Sequence, residues 1–172
     1  MIFAPLLTTE AFVESDLLRN AYRIADIYSD DPHTKNGAVL VNRHGEVIGS
    51  GANSLPIGVE TRDRLARPKK YSFIEHAERN AIFAACRQGE CTAGGTLYCP
   101  WFACADCARA IIQAGIRLVI GHKQMFDRAD GRWCESIAYG NEMLREAAVE
   151  TRLYDGKIGG ITNLFNGERW EP

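Results

Sequence analysis

Two short motifs constrain this chain more than any other feature. His76-Ala77-Glu78 opens one predicted helix and Cys104-Ala105-Asp106-Cys107 opens the next, with a predicted strand between them. Thiolates three residues apart on the first turn of a helix point the same way, and the helix N-terminus favours their negative charge. Zinc prefers nitrogen and sulfur donors in a tetrahedral array, and a catalytic zinc takes three protein ligands with a fourth place left open. His76, Cys104 and Cys107 supply that count, and Glu78 is close enough to move protons without ligating the metal. Singly, each signal is weak: a lone C-x-x-C is poor evidence of metal, a lone histidine is commonly a satisfied core residue, and a lone glutamate a solvated helical charge. The combination outweighs those plainer readings.

The surrounding pattern is an alternation of helices and strands. Thr8 and Thr9 cap a predicted amphipathic helix whose apolar positions run from Phe12 to Ile27 and which stops before Pro32. Residues 37–42 (GAVLVN) and 47–52 (VIGSGA) predict a β-hairpin around Gly45. Residues 53–71 form a long basic loop, followed by a helix over 74–87, a strand over 96–99 and a helix over 104–114. A strand at 117–121, a helix at 133–148 and a strand at 150–154 complete the series. Repeated strand, helix, strand order implies an α/β sheet with crossovers. Periodicity does not choose between a packed tail and a lid for the Gly-rich residues 155–172.

Length and charge narrow the function classes. A chain of 172 residues with 46% hydrophobic and 24% charged residues fits one domain with a single core, spanning 1–172 with its centre at about 9–154. There is no apolar run long enough for a membrane span and no basic secretory start, so a cytoplasmic location is expected. Twenty basic against 22 acidic side chains leave a net charge of −2, which gives no general attraction for a polynucleotide or an anionic membrane. Any phosphate affinity must therefore be local. The six cysteines suit reduced thiols or a metal site better than disulfides.

The motifs resemble those of the zinc-dependent cytidine and deoxycytidylate deaminases, with H-x-E followed by C-x-x-C. The resemblance is carried by SDDPHTKNGAVLVN from Ser29, GANSLPIGV from Gly51, EHAERNAI from Glu75 and TLYCPWFACADCARAIIQAGI from Thr96, and it is nearest to the dCMP deaminases. It implies a three-layer α/β/α sandwich around a mixed five-stranded sheet. It also implies hydrolysis of dCMP to dUMP and ammonia, with zinc on His76, Cys104 and Cys107 and Glu78 as proton shuttle. Asn53, Ala77, Phe126 and Arg128 are the implied substrate contacts, and the working form would be a homo-oligomer, a dimer or hexamer. Two positions depart from the pattern: Ala103 stands where the family has proline, with Pro100 further back, and Ser54 follows Asn53 in place of glycine.

A nucleotide substrate needs cations or backbone N–H groups for its phosphate. Arg62, Arg64, Lys69 and Lys70 of the basic loop are the sequence candidates, with Arg128 as another. Cys99 is expected to be a buried core thiol rather than a ligand. Trp101 and Phe102 are candidates to line the base pocket or cover the metal. Other small amino-heterocycles, such as a nucleoside, guanine or a modified cytosine nucleotide, would suit the same chemistry. A structural zinc module without catalysis is the competing reading from another class.

Overall fold

The computed structural model describes residues 14–128 and 131–172; the expected Thr8–Thr9 cap lies outside them. Helix α1 (Glu14–Tyr28) is followed by strands β1 (Gly37–Val41) and β2 (Val47–Ala52), then helix α2 (Ala77–Arg87). Next come β3 (Thr96–Tyr98), α3 (Ala105–Gln113), β4 (Leu118–His122), the short α4 (Lys123–Asp127), α5 (Gly131–Glu146) and β5 (Glu150–Tyr154). The tail forms a further hairpin, β6 (Asn163–Phe165) and β7 (Glu168–Trp170).

The sheet order is β2-β1-β3-β4-β5. β1 runs antiparallel to both β2 and β3, whereas β3, β4 and β5 are mutually parallel, so the five-stranded sheet is mixed. Strand β1 shows why this is a three-layer structure. Successive strand side chains face opposite ways, and Ala38 and Leu40 pack with α2 and α3 residues, while Val39 and Val41 pack against Leu17, Leu18, Ala21 and Tyr22 of α1. One strand thus feeds two cores, as expected of a segment apolar on both faces.

Close packing explains the glycines of VIGSGA. A Cβ on Gly51 would stand 2.5 Å from the Ala81 backbone nitrogen, so only glycine lets α2 lie so near β2. Helix α2 also begins later than the expected residue 74. Ser54 and Glu75 exchange two backbone hydrogen bonds (3.1 and 2.8 Å), which keep Glu75 extended and delay the first turn to Ala77. The tail hairpin turns on Asn166 and Gly167, both at positive φ (50° and 86°), the backbone that Asn-Gly tolerates best. Ile158 and Ile161 ahead of the hairpin, and Trp170 within it, pack on the α1 side of the sheet.

Candidate active site

Both motifs sit where helices begin. His76 and Cys104 are the N-cap residues of α2 and α3, each with extended backbone and no capping hydrogen bond from its own side chain. The positive ends of two helix dipoles therefore converge on one point. Asn53 Oδ1 accepts the Ala77 N–H (3.0 Å), closing one of the open donors of α2 from the end of β2. The start of α3, which has Ala103 in place of proline, is held from α5. Ser136 Oγ accepts the Ala105 N–H (3.1 Å), and a Cβ on Gly140 would come within 2.7 Å of the Ala103 carbonyl oxygen.

These constraints bring His76, Cys104 and Cys107 together with their ligand atoms all within 4.8 Å of one another. His76 Nδ1 lies 3.5 Å from each sulfur. A tetrahedral ion with Zn–S of about 2.3 Å and Zn–N of about 2.0–2.1 Å spaces its ligands by roughly 3.5 Å, so the donor set and its spacing fit zinc. A hydrogen bond from Cys107 pushes Cys104 down to about 4, with help from His76 and against its burial, while the same pairing and burial drive Cys107 up. Cys99 is buried outside this cluster and takes a hydrogen bond from Asn36 Nδ2 (3.2 Å).

Glu78, in the first turn of α2, is 3% exposed, and burial pushes its carboxyl up to about 7, the His76 charge opposing and Cys104 assisting. Its Oε2 is buried with no hydrogen-bond partner among the described residues. A buried polar atom without a partner costs stability unless something else satisfies it.

A partly open pocket lies over the cluster. Its floor includes His76, Glu78, Cys104, Asn36 and Asn53, and its aromatic walls are Trp101, Phe102, Tyr71 and Trp133. The Trp133 ring meets the His76 ring edge-on at 5.7 Å and the Trp101 ring at 6.3 Å. The tail hairpin contributes too: Phe165 packs on Trp101 (5.3 Å), and Asn166 lines the pocket.

The expected contacts divide. Asn53 lines the pocket. Ala77 is fully buried, with its N–H taken by Asn53. Phe126 lies behind the wall, its ring 5.4 Å from Phe102, and the Arg128 guanidinium covers the Trp170 ring at 4.2 Å; neither residue lines the pocket. Of the basic loop, Arg62 pairs with Glu60, Lys69 with Asp63, and Arg64 sits over Phe73. Lys70 does line the pocket but is buried in an ion pair with Asp31 (2.7 and 2.5 Å). Asp31 Oδ1 also accepts the His33 and Thr34 N–H groups. Arg67, absent from the sequence candidates, is exposed on the pocket rim with no carboxylate partner among the described residues. Asp31 and Asn36 lie in the SDDPHTKNGAVLVN stretch but are not among the sequence candidates for the site, and Trp133 lies outside every stretch that carries the resemblance.

Fold and site together define a hydrolytic deaminase with a three-donor centre at two helix starts. The family described as the cytidine and deoxycytidylate deaminase zinc-binding region matches residues 13–123. The chain is 38% identical over 124 residues to an uncharacterized deaminase of Aliivibrio fischeri, covering 72% of this chain and 81% of that one. It is 37% identical over 151 residues to the deoxycytidylate deaminase of Mus musculus, covering 84% and 81%. Matches to two other deoxycytidylate deaminases span only 60% of those chains. In three dimensions, the apo dCMP deaminase of cyanophage S-TIM5 shares the fold with a TM-score of 0.65, at 24% identity, over 85% of this chain and all of that one. The chain belongs to the cytidine and deoxycytidylate deaminase family.

Proposed function

We propose that this protein hydrolyses dCMP to dUMP and ammonia, with a zinc ion held by His76, Cys104 and Cys107. The observation that carries the reading is Glu78, whose buried and unpartnered Oε2 sits on the pocket floor beside the three donors. When bound, zinc supplies the Lewis acidity that makes a water nucleophilic near neutral pH. Glu78 takes the proton that water loses on attacking C4 and delivers one to N3 as the C–O bond forms. It then takes the remaining proton from the new C4 hydroxyl and passes it to the amine, so that the C–N bond breaks, ammonia leaves and the C4 carbonyl forms. A carboxyl held near neutrality by burial suits both halves of that relay.

The rim supports a nucleotide over a free base. Arg67 is a pocket cation with no carboxylate partner among the described residues, which suits a phosphate. Asn53 is assigned to the sugar side. Phe126 and Arg128 act in this reading from behind, through Phe102 and Trp170. The similarity to deoxycytidylate deaminases supports the same substrate. The proposed working form is a cytoplasmic homo-oligomer, which light scattering on the purified protein checks for assembly.

The test is metal analysis joined to ammonia release from dCMP, deoxycytidine, cytosine and guanine at equal concentration. One zinc per chain with a strong preference for dCMP supports the reading. Equal activity on deoxycytidine would remove the phosphate from it. A zinc-loaded protein active on none of the four would favour the structural zinc module.

A further inference from the structure

Asn36 stands just before β1, is 4% exposed and lines the pocket. Two of its polar groups are occupied. Nδ2 donates to Cys99 Sγ (3.2 Å), and the backbone carbonyl accepts the Asn53 N–H (3.0 Å). Its Oδ1 is buried and has no partner among the described residues. Buried polar groups are overwhelmingly hydrogen-bonded in folded proteins, so an orphan acceptor in a ligand pocket awaits a donor from the ligand.

The location says which part of the ligand. Cys99, to which the Asn36 amide is tied, packs in the same buried cluster as Ala77, Cys104 and Cys107. Asn53, bonded to the Asn36 backbone, in turn holds the Ala77 N–H, one residue from Glu78. Asn36 therefore belongs to the reacting end of the pocket rather than to the Arg67 rim. At that end a cytosine ring offers acceptors at N3 and the carbonyl, and its exocyclic amine is the donor.

We propose that Asn36 Oδ1 accepts a hydrogen bond from the exocyclic amine of the substrate and so selects the aminated ring over its deaminated product. After hydrolysis the amine is replaced by a carbonyl oxygen, and two acceptors then face each other, which weakens the hold on product. This assignment rests on reading the pocket as a deaminase site, but it concerns a residue outside both sequence motifs.

The experiment uses the zinc-loaded full chain as wild type, Asn36→Leu and Asn36→Ala. It compares kcat/KM for dCMP, the inhibition constant of the 2-pyrimidinone deoxynucleotide, which lacks the amine, and the calorimetric affinity for dUMP. Melting temperature and zinc content identify which variant remains folded and loaded. In a folded variant kcat/KM falls by about 10- to 100-fold, the pyrimidinone inhibition constant is unchanged and dUMP binds more tightly. Equal losses for dCMP and the pyrimidinone, or no loss for dCMP, would overturn the assignment. Should wild type turn over another amino-heterocycle instead of dCMP, the dCMP reading fails by itself. The same comparison, made between that substrate and its desamino counterpart, then decides Asn36.

Discussion

Glu78 and Lys70 are both charged residues taken out of water, and they differ in how the surroundings answer. Lys70 and Asp31 satisfy each other, with side chains 5% and 8% exposed, and Asp31 is further held by two backbone N–H groups. Removing one member leaves an uncompensated buried charge. Lys70→Met is therefore expected to cost about 3–5 kcal/mol, seen as a fall of roughly 10 °C in melting temperature. The double variant Lys70→Met/Asp31→Asn should recover most of it, because it removes both charges. Glu78 Oε2 has no such partner among the described residues. Glu78→Gln keeps the shape but cannot carry a proton, so kcat is expected to drop by about 10²- to 10⁴-fold while zinc content and melting temperature hold. Turnover at the wild-type rate in a loaded Glu78→Gln enzyme would remove the carboxylate from the chemistry.

The tail hairpin of β6 and β7 is a structural part of the site although it lies beyond both motifs. It is anchored by His122, which is fully buried at the end of β4. The Gly156 carbonyl can only accept, so His122 Nε2 carries the proton (2.9 Å) and Nδ1 accepts from the Tyr22 hydroxyl (2.7 Å). The Trp170 ring stacks on the imidazole at 6.4 Å, and Tyr154 and the Asp155 charge stand nearby, with Arg128 over Trp170. Burial lowers the His122 pKa, against the Gly156 and Asp155 contributions. A histidine depressed in the folded state binds fewer protons there than unfolded. Its share of stability is thus complete above about pH 6.5 and is lost as pH falls from there to the lower folded value. Melting temperature followed from pH 8 to pH 5 should decline less in His122→Phe than in wild type. At the other end of the hairpin, Phe165 braces Trp101. Phe165→Ala is expected to raise KM for the nucleotide by about tenfold with zinc content unchanged, as steady-state kinetics and metal analysis would show.

A metal held by the three donors would couple two helices that no covalent bond joins at this point, since His76 caps α2, Cys104 caps α3 and Cys107 lies in the first turn of α3. A ligand that binds only the folded chain adds its binding free energy to stability. Stripping zinc with a chelator should therefore abolish turnover and lower the melting temperature together, and restoring zinc should return both. Much of this molecule was legible in advance. The apolar runs GAVLVN and VIGSGA, the helix starts at His76 and Cys104, and the strand between them are local signals of an α/β sheet with crossovers, and the family resemblance implied the mixed five-stranded form that is observed. The Asn166-Gly167 turn was equally local, and it marks the tail hairpin that periodicity alone passed over. Of the pocket walls, Trp101 and Phe102 were legible beside the second motif, and the rest were not. Arg67, Lys70 and Trp133 come from a loop and a helix with no periodic signature of function, and which basic residue meets the pocket depends on Asp31, 39 positions from Lys70 along the chain. Helix starts and metal donors are set by side chains within a few residues of one another, so composition and spacing reveal them. Whether a given cation is neutralised, exposed or turned toward a ligand depends on contacts between distant segments, and those exist only once the layers have packed.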